Sequence, residues 1–179
     1  MVKTNSMVLE LGFQLPNFKM LNANSSNNQY FNSHNLDNRH LLLMFICAHC
    51  PFVKYIENQI FTLSKEIENT VQTVAISSND IVTHPSDSPD HLRLQAQSQG
   101  WSFPYLYDEN QNFAKELKAA CTPDFYLFSN VLKDYLYCIK SPPLISHSSF
   151  RDFSSCNVAI LGLINISPLF ICYFICLTF

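Results

Sequence analysis

Residues 41–46 read Leu-Leu-Leu-Met-Phe-Ile with no polar interruption, the pattern of a strand buried on both faces. The period then changes. Phe52, Val53, Ile56, Ile60, Leu63 and Ile67 recur at helical spacing, with Lys54, Glu57, Lys65, Glu66 and Glu68 among them. This predicts an amphipathic helix running to about Asn69. Pro51 suits its first turn, where the N–H it lacks would have had no partner. Residues 71–77, Val-Gln-Thr-Val-Ala-Ile-Ser, predict a second buried strand ended by the turn-like Ser78-Asn79-Asp80. A Pro-containing loop over 84–89 leads to a helix near 90–99, a short strand at 103–107 and a short helix at 112–118. Residues 125–128 and 135–139 predict a final strand pair. Residues 1–20, with Gly12, Pro16 and alternating apolar positions, suit a short strand or extended segment. Strands alternating with helices predict an α/β layered domain with parallel crossovers.

Composition changes this picture in two places. Between Asn22 and Asn38 stand seven Asn with Ser25, Ser26 and Ser33; this reads as an exposed loop, too polar to help build a core. From Cys138 to Phe179 only Lys140, Arg151 and Asp152 carry charge. The chain's 179 residues suffice for one domain with a proper core and are too few for two ordinary ones. A net charge of −3 leaves no basic footprint for nucleic acid or an anionic membrane surface. Seven cysteines without regular spacing speak against a secreted disulfide scaffold. No apolar run of signal-peptide length follows Lys3, so no secretory signal is expected, and the expected location is cytoplasmic or organellar.

Candidate chemistry concentrates in Cys47-Ala48-His49-Cys50-Pro51, which joins the buried strand to the helix. Unsatisfied N–H groups and the positive end of the helix dipole stabilise a thiolate there. Two cysteines in that place can attack a disulfide, form a mixed disulfide and resolve it. The competing reading is half of a zinc site, which needs a second close pair of ligands. Cys172 and Cys176 are the only other close pair and lie in an apolar segment without a nearby His. The redox reading is therefore preferred over zinc or an inert buried pair, with no metal and no cofactor expected. His49 reads either as a solvent-facing helix residue or as a partial charge that favours the thiolate and makes the disulfide more oxidising; the second is preferred. Cys121 reads as a small buried hydrophobe or as a third redox cysteine, the first preferred. Asp124 and Glu57 read as solvated or capping, with help in proton transfer as the alternative. Trp101 reads as core or rim packing. His34, His40, His84, His91 and His147 receive no role.

Three separated blocks carry a family likeness: residues 43–54 around the C-x-x-C, residues 74–80, and residues 119–128 containing Cys121-Thr122-Pro123-Asp124. Together, over about Val8 to Tyr137, they resemble the peroxiredoxin-like branch of the thioredoxin superfamily, the alkyl hydroperoxide reductase/thiol-specific antioxidant domain. The resemblance implies a thioredoxin fold, a central mixed sheet flanked by helices. It also implies that Thr122-Pro123 is the cis-proline turn that faces the C-x-x-C and positions substrate. Overlaid on a peroxiredoxin, Cys50 takes the peroxide-attacking place and Cys47 replaces a Thr. Peroxide cleavage also needs a guanidinium beside the thiolate, and none of Arg39, Arg93 and Arg151 lies in a matching segment. Overlaid on thioredoxin, Cys47 is the exposed attacking thiolate and Cys50 the buried resolver, and this second overlay uses more of what is present. The expected function is a thiol–disulfide oxidoreductase with an antioxidant or redox role. It would act on protein or small-molecule disulfides and be reduced by an upstream thiol. Alternatives are a thiol peroxidase reducing hydroperoxides, or a catalytically weak, membrane-attached remnant.

The domain is therefore expected over residues 1–137, followed at 138–179 by a divergent apolar tail that the family does not share. Residues 156–179 hold no charge over 24 positions, near the ~20 that span a bilayer. Asn157, Asn165 and Pro168 weaken them as a helix. A frameshift, retained intron or alternative terminal exon is ranked ahead of membrane attachment.

Overall fold

A computed structural model describes residues 9–130 and 135–140 of the chain. Its strands are β1 (Lys19–Asn22), β2 (Tyr30–Asn32), β3 (His40–Phe45), β4 (Val71–Ser77), β5 (Tyr105–Tyr107), β6 (Asp124–Phe128) and β7 (Tyr135–Lys140). Its α-helices are α1 (Pro51–Glu66), α2 (Pro89–Gln99) and α3 (Asn112–Glu116). The strands form one mixed sheet in the order β2-β1-β5-β4-β3-β6-β7. The apolar run lies at its centre. β3 pairs in parallel with β4, Leu42 opposite Thr73, and antiparallel with β6, Phe45 opposite Asp124.

Side-chain alternation along β3 divides the core into two layers. Leu42, Met44 and Ile46 share one layer with Val53, Ile56, Ile60 and Leu63 of α1 and Leu92 and Ala96 of α2. Leu41, Leu43 and Phe45 share the other with Phe113 of α3, Tyr126, Phe128, Phe18 and Met20. A strand covered on both faces has no polar positions to offer, which explains the uninterrupted run. Trp101 is in the core, stacked on Phe103 at 5.4 Å. Helix α2 stops at Gly100, whose left-handed φ of 68° turns its N–H back onto the carbonyls of Ala96 and Gln97.

The Asn-rich stretch departs from expectation. It is not simply an exposed loop: β2 lies within it and pairs with β1, and a 3-10 turn, Ser33–Asn35, follows. The asparagines serve as backbone partners. Asn22 Oδ1 accepts from the amides of Asn24 and Tyr105. Asn24 Nδ2 donates to the carbonyls of Trp101 at 2.9 Å and Phe103 at 3.0 Å. Asn32 and Asn35 cap the 3-10 turn reciprocally. Ala23 is fully buried among them. Composition registers polarity and is blind to which backbone groups a side-chain amide satisfies.

Smaller differences lie at element ends. Helix α1 stops at Glu66 rather than near Asn69, and α3 at Glu116 rather than Lys118. Strand β7 carries the sheet to Lys140, past the expected domain limit at 137. The expected divergent tail, 138–179, lies outside the described residues beyond Lys140. Among the described residues no helix is long and apolar enough to cross a membrane.

Because Asn24 bridges β1 to the chain leading into β5, Asn24→Ala should lower the unfolding free energy by about 1–3 kcal/mol. Asn27→Ala, at an exposed position of the same stretch, should stay within about 0.5 kcal/mol of wild type. Denaturant unfolding of the two variants compares them, and equal effects would contradict the assigned role of Asn24.

Candidate redox site

Cys47 lies in the turn after β3, and Cys50 is the N-cap residue of α1, with Pro51 at the first helical position. The antiparallel pairing of β3 with β6 brings Thr122-Pro123 alongside, and this peptide bond is cis. Cys47 Sγ lies 3.4 Å from Thr122 Oγ1, and Cys50 Sγ lies 3.4 Å from the Thr122 carbonyl oxygen. Four of the expected site residues, Cys47, Cys50, Thr122 and Pro123, thus come together. Both cysteines are free thiols.

The relative exposure of the two thiols runs against expectation. Cys47 is fully buried, not exposed, and Cys50 is the more open at 8%. The two sulfurs share a hydrogen bond. That bond holds the Cys50 thiol down at about 5, helped by Thr122 and by the amides of Val53 and Phe52 at the helix start, against the effect of burial. The same bond, with burial and the nearby Asp87 carboxylate, pushes Cys47 up. The C-x-x-C spacing does not say which sulfur faces the helix amides.

Three further residues, Asp87, Asn79 and His84, enter from the loop between β4 and α2, and sequence reasoning gave none of them a role. Asp87 is fully buried. Its Oδ1 accepts from the amides of Ala48 at 2.8 Å and His49 at 3.0 Å. Its Oδ2 accepts from Asn79 Nδ2 at 2.7 Å and lies 2.5 Å from His49 Nδ1. A carboxylate only accepts, so that imidazole nitrogen is assigned the proton. The ring of His84 stacks on that of His49, centroids 4.5 Å apart. His49 therefore does not simply face solvent: its Nδ1 is also 3.7 Å from Cys47 Sγ. Thirty-eight residues separate His49 from Asp87, so only the Pro-bounded loop, Pro85 to Pro89, offered a signal.

The remaining candidates stand apart in role. Cys121 is exposed rather than a small buried hydrophobe, and its thiol donates to Asp124. Asp124 is fully buried and accepts from the Ala120 amide, so it acts as a buried cap. Glu57 accepts from Gln95, whose side-chain oxygen accepts from Tyr105. Burial first, and then the neighbouring Cys47, Asp87 and Glu57, raise the Tyr105 hydroxyl well above its ordinary value, which keeps it a donor. The two described arginines are engaged elsewhere. Arg39 binds Asp37 and the Glu68 carbonyl, and Arg93 binds the Ala23 carbonyl and Asn28. A cleft of about 450 Å³, lined among others by Met20, Tyr30, Tyr107, Asp108 and Phe113, contains neither thiol.

The AhpC/TSA family model matches residues 11–137. Among solved structures, an uncharacterized conserved protein from Geobacillus kaustophilus is similar at 34% identity and a TM-score of 0.72, over 89% of this chain and 84% of that one. A hypothetical protein from Sinorhizobium meliloti is similar at 26% identity and a TM-score of 0.74, over 92% and 90%. A thiol-disulfide oxidoreductase from Bacteroides fragilis shares the fold at 19% identity and a TM-score of 0.58, over 71% and 90%. No curated protein matches the sequence.

A thiol lowered to about 5 is ionised above that pH and protonated below it. In the reduced, metal-free chain, alkylation of Cys50 by iodoacetamide should rise through about pH 5 and level off by neutrality, as resolved by peptide mass spectrometry. A rate still climbing through the ordinary thiol range near pH 8.5 would contradict the assignment.

Proposed function

The chain belongs to the AhpC/TSA family, whose membership supports a redox role, and we propose that this protein is a thiol–disulfide oxidoreductase working through Cys47 and Cys50. The observation that carries this reading is the pair of free thiols where β3 turns into α1, each with its sulfur 3.4 Å from an oxygen of Thr122. Cys50, the more open of the two, attacks one sulfur of a substrate disulfide. A Cys50–substrate disulfide forms and the other substrate sulfur leaves as a thiolate, which takes a proton from water. Cys47 then gives up its proton and attacks Cys50, which releases the second substrate thiol. Two cysteines are oxidised and one substrate disulfide becomes two thiols. An upstream thiol reductant restores the dithiol by the same exchange in reverse. Phe52 and Tyr55, 51% and 66% exposed on the first turns of α1, offer apolar surface beside Cys50 to a protein substrate.

Peroxide reduction is the weaker reading. It wants a guanidinium at the developing oxyanion, and among the described residues both arginines are held by other partners.

Single-cysteine variants test the order of attack. Cys47→Ser should accumulate mixed disulfides through Cys50, detected on non-reducing gels and by mass spectrometry, whereas Cys50→Ser should give at least tenfold fewer. The opposite yield would make Cys47 the attacking thiol. No adduct from either variant would overturn the exchange reading.

A further inference from the structure

Cys47 Sγ, His49 Nδ1 and a carboxylate oxygen of Asp87 all lie within 4.8 Å of one another. One atom, His49 Nδ1, faces both others, at 2.5 Å from Asp87 Oδ2 and 3.7 Å from Cys47 Sγ. A proton on that nitrogen can serve one of these contacts at a time. A cation at the point where they converge serves all three. We propose that the reduced protein binds a borderline divalent cation of the Zn(II) class through Cys47, His49 and Asp87.

The donor set fits this, and so does its sulfur–nitrogen spacing. Thiolate, imidazole and carboxylate are the three ligand types of zinc. Bonds of about 2.3 Å to sulfur and about 2.05 Å to nitrogen, at a tetrahedral angle, place S and N roughly 3.6 Å apart. The observed separation of 3.7 Å needs no adjustment. The corresponding N···O separation is roughly 3.3 Å, so His49 must withdraw from Asp87 by roughly 0.8 Å as the cation replaces the shared proton. His49 has the room, with a side chain 36% exposed, while Asp87 is fully enclosed. Ligand supports are already in place. The Ala48 and His49 amides and Asn79 hold Asp87, and His84 lies against the His49 ring. The fourth position falls to the Cys50 sulfur or to water. A search for a second pair of cysteines misses such a site, because its other half arrives from a distant loop.

The site also makes binding conditional on redox state, a consequence that rests on the exchange reading above. As half of a disulfide, Cys47 is no longer a thiolate ligand. A substrate disulfide, two protons, the Zn-bound Cys47 thiolate and the Cys50 thiolate give the Cys47–Cys50 disulfide, two substrate thiols and a free cation. The dithiol is oxidised, the substrate is reduced and charge balances.

Zn(II) alone, in competition with a chromophoric chelator, measures affinity in the reduced full-length chain. Co(II) in place of zinc reports thiolate ligation through its near-ultraviolet charge-transfer band. One cation per chain is expected, with that band present. Cys47→Ser should abolish the band from this site, and His49→Ala and Asp87→Asn should each weaken Zn(II) binding at least tenfold. His49 is partly exposed, so His49→Ala remains informative even where Asp87→Asn folds poorly. No zinc on the reduced chain, or wild-type affinity in His49→Ala, would overturn the proposal. Zinc held through these residues by a chain that forms no Cys47–Cys50 disulfide would sink the exchange reading and leave the cation site standing.

Discussion

The turn from β3 into α1 presents two amides, those of Ala48 and His49, and the buried Asp87 carboxylate accepts both. Leaving a buried donor without a partner costs about 1–3 kcal/mol, so the turn keeps its shape only while the β4–α2 loop is docked against it. That docking also carries Asn79 and His84 to the site. The placement of Cys47, the direction of the His49 ring and the cover over the buried thiol all follow from one carboxylate. The 3-10 turn at Pro85–Asp87 and Pro89 at the start of α2 restrict the loop's freedom on either side of it.

The sheet supplies the opposing wall. Because β3 sits between β4 and β6, the two cysteines at its carboxyl end meet Thr122-Pro123 at the amino end of β6. Neither edge of the sheet could provide walls on both sides. The thiols then divide their charge unequally. The hydrogen bond between them lowers Cys50, which Thr122 and the helix amides also favour, and raises Cys47, which burial and the neighbouring Asp87 carboxylate raise further. For the proposed exchange such a pair would supply a thiolate without a separate base, its partner's proton being released when Cys50 becomes part of a mixed disulfide and loses its charge.

Much of this was legible in the chain. The apolar run at 41–46 and the period of α1 predicted the central strand and the helix, and both are found, with the C-x-x-C at the turn between them. Residue likeness implied the cis Thr122-Pro123 bond. Hydrogen bonds made across long separations were not legible. Asp87 reads as one more polar residue in a Pro-bounded loop until the fold brings it beneath His49, and Asn24 reads as loop until it meets the carbonyls of Trp101 and Phe103. Which cysteine carries the charge was equally hidden, because it depends on how the two sulfurs share a hydrogen bond and on the burial and partners around each, rather than on order in the motif.

The central claim, that Cys47 and Cys50 form one reversible redox couple, is tested by equilibrating the protein across glutathione redox buffers. The exchange is quenched by alkylation and each cysteine is quantified by mass spectrometry. The two thiols should disappear together in a single two-electron transition of about 30 mV per tenfold change, and reappear with reductant. Equal alkylation of both cysteines across the oxidising buffers, or oxidation of either one independently of the other, would contradict it.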